Sequence, residues 1–86
     1  MPHRVENVET RVWHRIIEDL AASGFVKVYE YGGADAGIDY SRYDLMDGGE
    51  TLVFEWDNWS EGSVEGTPSR LEAIREKYRL SEVVEE

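Results

Sequence analysis

Residues 47–56 read DGGETLVFEW and join a hairpin turn to a β-strand. The two glycines accept the positive φ angles that tight hairpin turns need, so the turn is predicted at Asp47–Glu50. After the turn, Leu52, Phe54 and Trp56 occupy every second position and fall on one side of an extended chain. This alternation predicts a strand with one buried face and one solvent-exposed face.

Further strands are predicted on both sides of this hairpin. Residues 25–31 are rich in β-branched and aromatic side chains, and residues 38–45 alternate in polarity. The glycine-rich residues 32–37 between them are predicted to form a loop. A shorter fourth strand is expected at residues 62–66, after a turn within residues 57–60.

The register of this fourth strand has two solutions. A loop of odd length places Val64 opposite Leu52 on the buried face. A two-residue turn at Asp57 and Asn58 would instead place Glu61 opposite Phe54. Because burying an unpaired carboxylate is costly, we favour the first solution.

The N-terminal part of the chain shows helical periodicity. Gly24 is suited to the end of such a helix, with Phe25 folding back on its last turn. The apolar positions that predict the helix are Val5, Val8, Val12, Trp13, Ile16, Ile17 and Leu20.

A second helix is predicted to begin between residues 67 and 69. Either Thr67 caps it, with Pro68 at the first helical position, or Ser69 and Glu72 form a capping box. Its apolar stripe ends at Tyr78, so we expect residues 81–86 to be a frayed acidic tail.

These elements predict one α+β domain over residues 1–86, in the order α-β-β-β-(β)-α. Short connections favour an antiparallel meander, and each helix has one apolar stripe. The simplest packing places both helices on one face of the sheet and leaves the other face open.

Composition narrows the class of protein. The chain has no cysteine, which excludes disulfide scaffolds and thiolate metal sites. It has no apolar run near the ~18 residues that cross a bilayer, and we do not expect the first residues, 1–4, to open a signal peptide. We therefore expect a cytoplasmic protein that does not contact membranes.

Charge is distributed unevenly along the chain. The net charge is −10, yet residues 1–29 sum to zero and residues 67–86 to −1. Residues 30–66 hold ten acidic side chains and only Arg42, a sum of −9. This segment forms the sheet and its loops, so the open face is predicted to be acidic.

We interpret the open face as a docking surface for a basic partner protein, because opposite potentials speed and orient encounters. The chain would then be a small non-enzymatic interaction module, acting as an inhibitor or regulator. The same acidity also suits a surface that serves only solubility. Exposed positions on this face are expected to include Lys27, Tyr29 and Val53. The residues expected to bind the partner are Tyr31, Asp39, Glu55, Asp57, Trp59 and Glu61.

A different hypothesis is a domain that binds a small ligand or a divalent cation. It would use the loop carboxylates Asp35 and Asp39 together with Trp59 and nearby tyrosines. The EF-hand pattern fails when it is tested from Asp57, because Trp59 and Pro68 occupy ligand positions. We therefore predict no dedicated metal site and no cofactor.

Catalysis and nucleic-acid binding are both disfavoured. Glu55 and Asp57 lie two apart on one strand face, roughly 6.5–7 Å between Cα atoms, a spacing that could serve glycoside hydrolysis. A small meander provides little wall around such a pair, so we predict no enzyme. The negative charge repels phosphate, which argues against nucleic acid. The chain is expected to be a monomer or an edge-to-edge homodimer.

Overall fold

The computed structural model describes residues 3–35 and 38–85, and these form an α+β fold. The elements in chain order are β1 His3–Val8, α1 Thr10–Ala22, β2 Val26–Asp35, β3 Ile38–Asp47, β4 Glu50–Asp57, β5 Glu61–Gly66, α2 Pro68–Tyr78 and β6 Val84–Glu85. The six antiparallel strands make one sheet in the order β2-β3-β4-β5-β1-β6. The α+β class and the antiparallel sheet are confirmed.

Both helices pack on one face of the sheet, as predicted. Trp13 of α1 is buried against Phe54 and Tyr43, and its Nε1 donates a 3.1 Å hydrogen bond to the carbonyl of Ser63. Trp56 lies at the margin of this core and donates from Nε1 to Thr10 Oγ1. The buried apolar side chains are Val5, Val8, Trp13, Ile16, Phe25, Leu45, Leu52, Phe54, Val64, Leu71 and Ile74.

The start of the first helix was predicted wrongly. Residues 3–8 form strand β1 inside the sheet, and α1 begins only at Thr10. Val5 and Val8 are both buried and pair with Val64 and Gly62, so three residues of β1 match two of β5. The extra residue is a β-bulge, which makes a strand repeat its buried positions at a helical spacing.

The two helix ends agree better with prediction. Gly24 has a φ of +122° after α1, and the Phe25 amide donates to the carbonyl of Leu20, folding the chain back. Of the two predicted starts of α2, the structure has Thr67 at the cap position and Pro68 at the first helical residue.

The strand after Trp59 follows the predicted odd-length loop. Asp57 pairs with Glu61 across the three residues 58–60, which places Val64 on the core face. Its partner is Phe54 rather than the predicted Leu52, because the strand pairs two residues further along. The two-residue alternative that buried Glu61 is not seen, and Glu61 is exposed.

The outer hairpin and the C-terminus are more ordered than predicted. β2 and β3 pair from Val26 opposite Met46 to Asp35 opposite Ile38, so residues 32–35 are strand rather than loop. The tail predicted as frayed returns to the sheet as β6, with Val84 opposite Arg4, and Val83 packs on the core. Over the described parts of the chain, neither helix has the length and apolar character needed to span a membrane.

Candidate functional site

The open face of the sheet collects carboxylates from four strands. Strand alternation places these side chains opposite the helices, as shown by the pairs Glu55–Ser63, Val53–Glu65 and Arg42–Glu55. Among the side chains that the structure describes, six carboxylates and two arginines share this face, a local charge of −4. They are Arg4, Glu6, Arg42, Asp44, Glu55, Asp57, Glu61 and Glu65.

The two arginines are held by neighbours on the same face. Arg42 makes a forked contact with Asp44, from Nε to Oδ1 at 2.9 Å and from Nη2 to Oδ2 at 3.3 Å. Arg4 Nη2 donates to Ser63 Oγ at 2.9 Å, and its Nε lies 3.8 Å from Glu6 Oε2. The negative charge that remains is concentrated on β4 and β5.

A shallow depression of about 100 Å³ lies on the open face where β4, β5 and β1 are neighbours. We call it the acidic depression, and its walls carry one arginine, one tyrosine and four carboxylates. These side chains are Arg4 and Glu6 of β1, Tyr40 of β3, Glu55 and Asp57 of β4, and Glu61 of β5, and the rest of the lining is Asn7, Ser60, Gly62 and Ser63.

Tyr40 is fixed as a hydrogen-bond donor in the acidic depression. Its hydroxyl donates to Glu55 Oε2 at 2.6 Å. Partial burial, followed by this bond to a carboxylate, raises the pKa of Tyr40 to about 12. The bonded hydroxyl holds the Glu55 side chain in place.

The turn between β4 and β5 closes the depression and carries Trp59. Asp57 Oδ1 accepts the backbone amides of Trp59 and Ser60, at 2.8 and 2.7 Å, which fixes the turn. Trp59 itself is 81% exposed. A large exposed indole beside carboxylates offers both apolar contact and a π face to a cationic side chain.

The structure brings together four of the six residues predicted to bind a partner. Glu55, Asp57 and Glu61 line the acidic depression, and Trp59 belongs to the adjacent turn. Tyr31 lies on the same face but on β2, where its ring is 5.9 Å from that of Tyr40. Asp39 precedes Tyr40 on β3, so its side chain leaves the opposite face.

Three of the six charged or aromatic side chains that line the depression were missed by sequence reasoning. Arg4 and Glu6 were not considered because the apolar stripe from Val5 to Leu20 was interpreted as a helix outside the sheet, and Tyr40 was not singled out. Lys27, in turn, was predicted on the open face but lies on the helix side, with Nζ 4.7 Å from the centre of the Tyr43 ring. A bulge between Lys27 and Tyr29 reverses the face on which Lys27 lies.

The acidic depression is not arranged as a metal centre. Among the residues that the structure describes, no group of three or more His, Cys, Asp or Glu side chains is placed to hold a metal ion. The Asp35 side chain, one of the two loop carboxylates considered for a cation, lies outside the described residues.

Comparison with protein-family models, with curated proteins and with solved structures gives no match for this chain. The fold and the open face therefore define the protein only as a small α+β domain with an acidic sheet surface, next to a turn that exposes Trp59.

Proposed function

We propose that this chain is a non-enzymatic binding module that docks a basic segment of a partner protein through its open sheet face. The module would act as an inhibitor or regulator of that partner. The observation that carries the proposal is the clustering of Glu55, Asp57 and Glu61 around one depression beside the exposed Trp59.

The exposure of Trp59 favours a docking surface over a surface that serves only solubility. A solubilising surface benefits from charge but gains nothing from a tryptophan that is 81% exposed. Tryptophan and tyrosine are enriched at protein interfaces, where a rigid ring anchors the contact and charged groups surround it. Arginine or lysine of the partner would enter the depression and stack against the indole.

The size of the depression favours a protein partner over a small ligand. Its volume of about 100 Å³ is well below the roughly 300–1,000 Å³ of typical ligand pockets. The competing hypothesis of a ligand or cation site relied on Asp39, which leaves the other face of the sheet. One guanidinium or ammonium group fits the depression better than a whole small molecule does.

A titration with a synthetic arginine–glycine repeat peptide tests this proposal. In amide NMR spectra, we expect shifts at Glu55, Glu61 and Ser63 and at the Trp59 indole. The shifts should weaken strongly between about 50 and 200 mM salt, since the contact is electrostatic. A double variant, Glu55→Gln with Glu61→Gln, should bind at least about fivefold more weakly.

A matched control removes the same charge from the helices. Glu18 and Glu76 are exposed on α1 and α2, away from the open face. Changing both to glutamine should leave the shifts and the affinity as they are in the unmodified chain. Equal weakening by the two double variants would show that only net charge matters, and the docking surface would then be rejected.

A further inference from the structure

The outer edge of β2 is long and exposes several apolar and aromatic side chains. β2 lies at one end of the strand order, so within the described residues it pairs with β3 alone. Val26 and Val28 are 62% and 54% exposed, and Tyr29 and Tyr31 of the same strand are nearly as accessible. Natural sheets usually shorten, charge or cover such an edge, because its free backbone groups recruit another strand.

The backbone groups that β2 offers outward follow from the ladder. A two-residue turn joins β3 to β4, so odd-numbered residues of β3 bond to β4 and even-numbered ones to β2. Lys27 and Glu30 pair with Leu45 and Tyr43, which are odd-numbered. Lys27 and Glu30 therefore direct their own N–H and C=O groups away from the sheet.

The bulge in β2 places these two residues on the same face. Lys27 pairs with Leu45 and Tyr29 pairs with Asp44, so two steps along β2 correspond to one step along β3. Val28 is the extra residue of the bulge. Lys27 and Glu30 are consequently both on the helix side, where Lys27 Nζ lies 2.6 Å from Glu30 Oε1. They are also the only charged residues between positions 26 and 34.

We propose that β2 pairs antiparallel with β2 of a second copy, about a two-fold axis between Val28 and Tyr29. In this register Lys27 of each copy lies opposite Glu30 of the other. The outward N–H and C=O groups of one residue then meet those of the other, both side chains lie on the helix side, and their charges are opposite. Val28 and Tyr29 lie opposite each other, which buries part of the exposed apolar edge. The two sheets then form one continuous twelve-stranded sheet.

Repulsion between the two acidic faces does not oppose this pairing strongly. The acidic depression lies on β4, β5 and β1, two or more strands away from the β2 edge. At about 4.8 Å per strand, the two depressions are roughly 25–35 Å apart. This separation exceeds the Debye length of about 8–10 Å near physiological salt. The charges of Lys27 and Glu30 cancel, so this edge has no net negative charge that would attract a basic strand of another protein.

Two charge reversals test the pairing and its register. Lys27→Glu places like charges opposite each other at two sites in the dimer, and so does Glu30→Lys. Each single variant should dimerise about tenfold more weakly than the unmodified chain in sedimentation velocity. An equimolar mixture of the two variants should form a mixed dimer, because the introduced glutamate of one copy then faces the introduced lysine of the other. At the second site of the same dimer, the unchanged Glu30 of the first copy faces the unchanged Lys27 of the second.

The mixture separates the proposal from an effect within one chain. The intrachain contact between positions 27 and 30 stays broken in both variants, so only pairing between copies can restore the dimer. The control reverses a similar exposed pair on α2, Glu72 and Arg75, whose charged atoms are 2.8 Å apart. Glu72→Lys and Arg75→Glu, alone or mixed, should leave the dimer unchanged.

Two results would overturn the proposal. One is an unmodified chain that sediments as a monomer at about 100 µM, where an edge contact of micromolar affinity is populated. The other is a dimer that survives both single reversals, or that the mixture does not restore while circular dichroism shows both variants folded.

Discussion

At the scale of single residues, Gly62 of β5 is important because it has no side chain. Gly62 is buried beneath the indole of α1, and a Cβ there would lie 2.3 Å from Trp13 Cδ1. The missing side chain lets α1 approach the sheet closely enough for Trp13 Nε1 to reach the Ser63 carbonyl. One glycine therefore positions the first helix over the core.

Gly62→Ala should destabilise the fold by about 1–3 kcal/mol, because Trp13 must leave its position to admit the methyl group. Urea unfolding followed by tryptophan fluorescence measures this loss. The control is Gly49→Ala in the β3–β4 turn, where a Cβ meets nothing within 4 Å. If both alanine variants unfold at the same urea concentration, close packing at Gly62 is not what holds the helix.

At the scale of secondary-structure elements, α1 and α2 are joined near their C-terminal ends. The Tyr78 hydroxyl donates to Asp19 Oδ2 across the helix pair. This bond is the main cause that lowers the pKa of Asp19. Burial, followed by the same bond, raises the pKa of Tyr78 to about 12.

The pH dependence of stability follows from these two shifts. A lowered pKa in the folded state gives Asp19 a stabilising role above its unfolded pKa of about 3.9, which is lost as the pH falls through the folded value. A raised pKa gives Tyr78 a stabilising role below its unfolded pKa of about 10, which is lost as the pH rises toward 12.

Tyr78→Phe should lower stability at neutral pH, and the difference from the unmodified chain should shrink near pH 2. Urea unfolding of both proteins at a series of pH values measures this difference. The titration of the other carboxylates affects both proteins equally and cancels in the comparison. Tyr31→Phe, at an exposed tyrosine of β2, should give no pH-dependent difference. A Tyr78→Phe deficit that is constant down to pH 2 would contradict the role of Asp19.

The elements that sequence reasoning located are those with strictly local signals. The hairpin at residues 47–50 has its glycines in place, and α2 begins with its proline. β1 was missed because a bulge puts Val5 and Val8 three residues apart, the spacing of a helix. The site was affected by the same error, since Arg4 and Glu6 reach the acidic depression only when residues 3–8 form a strand between β5 and β6.

At the scale of the whole molecule, helices and sheet differ sharply in charge. Nearly all of the net −10 belongs to residues 30–66, which form the outer and central strands. Ion pairs such as Arg70 with Glu50, at 2.9 Å, relieve only part of this charge. Self-repulsion on the open face therefore opposes folding in the absence of a partner.

Added sodium chloride should stabilise this fold, because screening removes repulsion that exceeds the attraction of its exposed ion pairs. A gain of about 1 kcal/mol corresponds to roughly 4–8 °C in the melting temperature of a domain this size. The variant Glu55→Gln with Glu61→Gln should begin at a higher melting temperature and respond less to salt. A melting temperature that falls with salt in the unmodified chain would show that ion pairs dominate instead.

The position of β1 also determines when the fold can be completed. β1 precedes the other described strands in the sequence, yet Arg4 bonds to Ser63, 59 residues later, and its other neighbour, β6, follows all of them. Strands β2 to β5 can pair one after another because each follows its neighbour in sequence. β1 can pair only after β5 and β6 are available. We expect its insertion to be the closing step of folding, because it joins residues 3–8 and 84–85 to the central strands.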